Sequence, residues 1–139
     1  MTTPVALVPA RGHVQRAGYI KHRLSSVSLI DLVAGGTPTL YTIPVGFTGI
    51  ITDVFLECTA SVGLSVPATA GVGIALGEDD LFASQVLTGF LSVGQVWAFV
   101  LGTSLTRTAP AGSVIKLGID VLPSGTSQLV TAHVMGIVF

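Results

Sequence analysis

From Ser25 onward, apolar and polar residues alternate with period two in short runs, and Gly, Pro, Ser and Thr punctuate them. Successive side chains on a strand point to opposite faces, so these runs predict half-buried strands joined by turns, with almost no helix. In TGIITDVFLECTA (48–60), Ile50, Val54, Leu56 and Cys58 share one face with Thr52, while Asp53 and Glu57 take the other. Cys58 is therefore assigned to the core. SVIKLGIDVL (113–122) places Ile115, Leu117, Ile119 and Val121 inward and Lys116 and Asp120 outward. SQLVTAHVMGIVF (127–139) sets Val130, Ala132, Val134 and Val138 against Leu129, His133, Met135, Ile137 and Phe139, so both of its sides are largely apolar. Such a strand calls for protein on both faces, which marks His133, Met135, Ile137 and Phe139 as a candidate oligomer interface. Further runs at 25–33, 38–43, 71–76, 81–91 and 95–101 bring the total to about eight strands. Their regular spacing predicts an all-β fold, an antiparallel β-sandwich or barrel, as one domain over residues 25–139.

Composition sharpens this picture. Half of the 139 residues are apolar and only 9% are charged, against roughly 25% in an ordinary soluble domain. Disorder is excluded, and a surface so poor in charge needs a cover of lipid or protein. The stretch 81–106 has no charge and exceeds the ~20 residues of a spanning helix. Against a span stand the turn-like SVGQ (92–95), the polar Gln85 and Gln95, and the lack of a flanking Lys/Arg cluster. Six Phe, two Tyr and one Trp are too few for the aromatic girdles of a membrane barrel. Protein cover, and hence a homo-oligomer with no membrane partner, is the expectation. The single cysteine forms no intrachain disulfide, and MTTPVALVPARGHVQR puts its apolar run before its basic residues, the wrong order for a secretory signal.

Charge divides the chain. Residues 1–30 hold Arg11, Arg16, Lys21 and Arg23 with no acid, whereas the remainder sets Arg107 and Lys116 against seven acids. RGHVQRAGYIKHR (11–23) also carries His13 and His22, and its two glycines, with Pro4 and Pro9 upstream, argue against a regular element. Residues 1–24 are thus expected to form an extended basic N-terminal arm. Arg11, Arg16, Lys21, His22 and Arg23 are its candidate partner-binding residues, suited to an acidic protein surface. Four fixed charges without an Arg-rich run are few for nucleic acid, whose binding neutralises many phosphates.

Little in the chain points to catalysis. GVGIALG (71–77) lacks the helix that a dinucleotide fingerprint requires, and reads as a glycine-rich strand. The three adjacent acids of EDD (78–80) suit a solvated turn better than a calcium loop, whose ligands are spaced. His133 stands mid-strand without a nearby acid in sequence, and there is neither a GxSxG elbow nor a Cys/His pair at metal-ligand spacing. No enzymatic activity, cofactor or metal is expected. The lone Trp97, within VWAFV, reads as core packing.

In LYTIPVGFTGIITDVFL (40–56), Ile43-Pro44, then Gly46, then a Thr-Gly-Ile-Ile-Thr strand resembles the opening hairpin of small jelly-roll proteins of tailed-bacteriophage virions. APAGSVIKLGIDV (109–121) and VTAHVMGIVF (130–139) are similar to the paired closing strands of that group, and these stretches cover about a third of the chain. The resemblance implies a jelly-roll sandwich and a capsid decoration or cement protein at the capsid surface. Such proteins are usually trimeric and clamp neighbouring shell subunits, without catalytic residues. Three alternatives stand beside it: a main coat protein with a genome-binding arm, a tail component, and a carbohydrate-binding β-sandwich module.

Overall fold

The computed structural model describes residues 22–74, 80–100 and 108–139. Nine strands run in chain order: β1 (His22–Asp31), β2 (Thr39–Thr42), β3 (Gly49–Val62), β4 (Thr69–Gly73), β5 (Phe82–Val86), β6 (Val96–Ala98), β7 (Thr108–Ala109), β8 (Val114–Val121) and β9 (Ser127–Val138). A 3-10 turn at Leu32–Ala34 is the one helical element among the described residues. Strands β1, β9, β3 and β6 pair in that order, with β7 also on β3, and β2, β8, β4 and β5 make the second sheet. All strand pairs are antiparallel. Apart from β4 to β5 and β6 to β7, every connection crosses between the sheets, which is the jelly-roll form of the sandwich.

This topology corrects one sequence-level reading. The segment likened to an opening hairpin and the two likened to paired closing strands each join strands of different sheets, β2 to β3 and β8 to β9. The Pro-x-Gly signals do form turns. Phe47 N–H donates to Pro44 O at 3.2 Å and Ser113 N–H to Pro110 O at 3.1 Å. Gly46 and Gly112 occupy the third turn position with φ of 88° and 79°, where a side chain would be strained.

The core lies between the sheets. Val54, Leu56, Cys58, Val130, Ala132 and Val134 face Leu40, Ala70, Val72, Phe82, Ile115 and Leu117, all buried. Burial of each larger aliphatic side chain contributes roughly 1.5–3 kcal/mol. Asp31 ties β1 to β9: its Oδ1 accepts from Val33 N–H at 3.0 Å, capping the 3-10 turn, and from Gln128 N–H at 3.1 Å. Gln128 is itself buried, donating from Nε2 to Phe90 O at 2.9 Å.

Between Ile51↔Gly136 and Asp53↔Met135, β3 holds the extra residue Thr52, a β-bulge. The bulge reverses the inward parity of β3, so Ile51 is buried before it and Val54 after it. Ile50 therefore does not share the core face with Val54, contrary to strict alternation, and lies opposite Ile137 on the outer face. Thr52 Oγ1 sits 3.0 Å from Asp53 Oδ2 and 3.2 Å from Met135 O, holding the bulge. Val121 departs from expectation too, being 53% exposed where β8 leaves the sandwich. Strand β1 begins at His22, three residues inside the stretch assigned to the arm. His22 and Arg23 are strand residues paired with Gly136 and Met135, while Arg11, Arg16 and Lys21 lie outside the described residues.

Opposite the bulge, the β9 position paired with Ile51 admits only glycine. A Cβ on Gly136 would overlap the carbonyl oxygen of Ile50, a backbone atom that cannot turn aside. Gly136→Ala should therefore cost about 1–3 kcal/mol, the usual range for overpacking. A lowered midpoint in urea unfolding checks this; an unchanged midpoint would mean that the bulge shifts freely.

Candidate interaction surface

The outer face of the β1-β9-β3-β6 sheet collects most of the residues singled out from sequence. Pairing across β1, β9 and β3 aligns Arg23, Met135 and Asp53 in one row. The next row is Ser26, His133, Phe55 and Ala98, and Glu57 stands between Thr131 and Val96 in the row beyond. On the opposite side of the Arg23 row, Ile137 faces Ile50, which faces Thr108. His133, Met135 and Ile137 are thus brought together, each half-buried among its neighbours, whereas Phe139 is 52% exposed. Thr48 and Phe139 exchange backbone hydrogen bonds of 2.8 and 3.0 Å, which sets Phe139 beside the Pro44–Phe47 turn. Val45 and Phe47 project from that turn into solvent, so the apolar band continues to the end of the sandwich.

His133 stacks on Phe55 with ring centroids 4.8 Å apart and planes 21° from parallel. Its Nε2 lies 3.7 Å from Glu57 Oε1, with side-chain exposures of 14% and 49%. The acid absent from its sequence neighbourhood comes from β3. Arg23, assigned with the arm, instead joins the row of Met135, merging two sites that the sequence had kept apart. Phe55, Val45 and Phe47 were missed; Phe55 stood between Asp53 and Glu57 with outward parity, which was the available signal.

Elsewhere the arrangement suits structure. Among the described residues, no three His, Cys, Asp or Glu side chains gather as a metal site. Asp80 Oδ1 accepts from Ile74 N–H at 2.7 Å, while Glu78 and Asp79 lie outside the described residues. Trp97 packs partly against the core rather than standing out as a flat platform. With Thr88, Gly89, Phe90, Gln95 and Val96 it lines an open cleft of about 330 Å³. Gln95 Oε1 is already engaged by the N–H groups of Leu91 and Ser92, both at 2.8 Å. No helix among the described residues is long and apolar enough to cross a membrane.

The stack and the His133–Glu57 contact differ in weight. Ring stacking contributes about 0.5–1.5 kcal/mol beyond burial, whereas an exposed pair contributes about 0–1 kcal/mol. His133→Ala should lower stability more than Glu57→Gln in parallel denaturant unfolding. The reverse order would make the Glu57 contact the main support of this face.

No protein-family model matches the chain, and no curated protein is similar to it in sequence. Solved structures that share its fold include two phage capsid chains. One is a chain of the acidic stable capsid of Helicobacter pylori bacteriophage KHP30, with TM-score 0.54 and 13% identity, covering 86% of this chain and 95% of that one. The other is a chain of the cyanophage Pam1 capsid asymmetric unit, with TM-score 0.53 and 19% identity, covering 95% of this chain and 93% of that one.

Proposed function

We propose that this chain is a non-enzymatic structural protein of a bacteriophage virion, and specifically a decoration or cement protein that oligomerises and clamps neighbouring shell subunits. The observation that carries this reading is the extent of the structural likeness. Both capsid chains are matched over more than nine tenths of their length, so each consists of little beyond the same sandwich. Single-sandwich chains of this size suit an accessory of the shell. The composition agrees, because a surface with so few charges is stabilised when neighbouring protein covers it. The outer face of β9 and β3 is the homo-oligomer surface, trimeric as the resemblance implies. The basic segment ahead of β1 reaches an acidic neighbour in the shell.

The structure selects the variant for the oligomer test. Met135 lies opposite Asp53, so an acid placed there would also set like charges across the strands. Ile137 lies opposite Ile50 and is the cleaner choice. An unpaired charge in an apolar interface costs several kcal/mol, so Ile137→Asp should shift the protein from oligomer to monomer by light scattering. Unchanged mass would remove this face from the interface.

Attachment is tested by cosedimentation with empty phage shells. Deleting residues 1–21 leaves β1 whole and should weaken binding, as should raised salt, which screens exposed charges. Equal binding by the truncated protein would overturn the role of the basic segment. Binding to bare nucleic acid in place of shells would favour a coat protein with a genome-binding arm.

A further inference from the structure

Two oddities coincide at Leu29. Ser28 and Leu29 together stand opposite Thr131, a bulge in the outermost strand of the sheet. Leu29 adopts φ of 61°, the one non-glycine residue with positive φ among the described residues, in a region that branched side chains seldom enter. Its side chain is 76% exposed. Strain and exposure together leave an aliphatic side chain in solvent on the edge strand β1, where a residue chosen only for stability would be glycine or polar.

The opposite edge of the same sheet offers a hollow. Strand β6 borders the cleft lined by Phe90, Val96 and Trp97, and Val93, Val96 and Val100 are exposed along that border. The cleft lies near the lower limit of the ~300–1,000 Å³ of ligand pockets, a volume that accommodates a leucine side chain. Register fixes its height. Thr131 pairs with Glu57 and Glu57 with Val96, so the Leu29 bulge and the cleft flank one row of the sheet.

We infer that Leu29 of one copy inserts into the Phe90–Trp97 cleft of a second copy, joining β1 and β6 edges head to tail. Unlike edges in contact make a heterologous interface, which closes into a ring only without a rise from copy to copy. Knob and hollow on one row meet that condition when the strands run along the ring axis. Strands ~4.8 Å apart make a four-stranded sheet about 19 Å wide, and three such sheets around an axis each stand about 5–6 Å from it. That is close to half of the ~10 Å between packed sheets, so the outer side chains of β9 and β3 fill the centre, whereas four sheets would leave a hole. This inference rests on the oligomer reading above and assigns its contact.

A cross-linking experiment separates the two. Leu29→Cys and Val96→Cys are made singly and together in the full chain and treated with a short bis-maleimide, the buried Cys58 serving as background. A mixture of the two single variants should give covalent dimers, each single variant alone should give none, and the double variant should form a ladder ending at trimer. As a second reading, Leu29→Gly should keep the circular dichroism of the wild type while weakening self-association at least tenfold. An oligomer without the 29-to-96 cross-link, or Leu29→Cys linking to itself, would overturn this contact and leave the oligomer reading intact. A monomer by light scattering would overturn both.

Discussion

The antiparallel pairing of β3 with β9, from Gly49↔Val138 to Val62↔Ser127, is the contact on which the rest of the sandwich depends. Each central strand carries a further partner on its free side, β1 on β9 and β6 and β7 on β3. A one-residue slip of either strand in this register would move its inward side chains to the outside. The bulge at Thr52 and the glycine at 136 make the two strands compatible, because the shortened approach on β9 fits only a residue without a Cβ. One device thereby determines which residues fill the core and which remain on the outer face.

The outer face follows from that device. The bulge turns Ile50 outward beside Ile137 and sets Asp53 in the row of Arg23 and Met135. The result is an apolar band bordered by a small number of charges, with the His133–Phe55 stack at one end and Phe139 beside the Pro44–Phe47 turn at the other. For a chain with 9% charged residues, protein cover over such a face would be stabilising. The sandwich itself is the fold of two phage capsid chains.

Most of the fold was legible in the alternation itself. Val54, Leu56, Cys58, Val130, Ala132 and Val134 are buried as their parity required, and Ile115 and Leu117 likewise. Ile50 was misassigned because a bulge inserts one residue without any change in composition, so parity carried past Thr52 in the wrong phase. Strand pairing was less legible: Glu57 and His133 are 76 residues apart in sequence, and only the β3–β9 register brings them together. The segment assigned as the arm, residues 1–24, overlaps the start of β1 at His22 for a related reason. His22 and Arg23 look like part of a basic segment until β9 supplies their backbone partners. Leu29 carried no signal at all, since its distinction is a backbone angle set by the mismatch between β1 and β9.

Membership of a virion shell is the central proposal, and the copy number of the chain in purified phage particles measures it most directly. Quantitative mass spectrometry of virus particles released from cells that express this sequence should give a fixed ratio to the main coat protein, retained after nuclease treatment and density-gradient purification. Absence from the purified particles, or a trace amount lost on the gradient, would contradict the account.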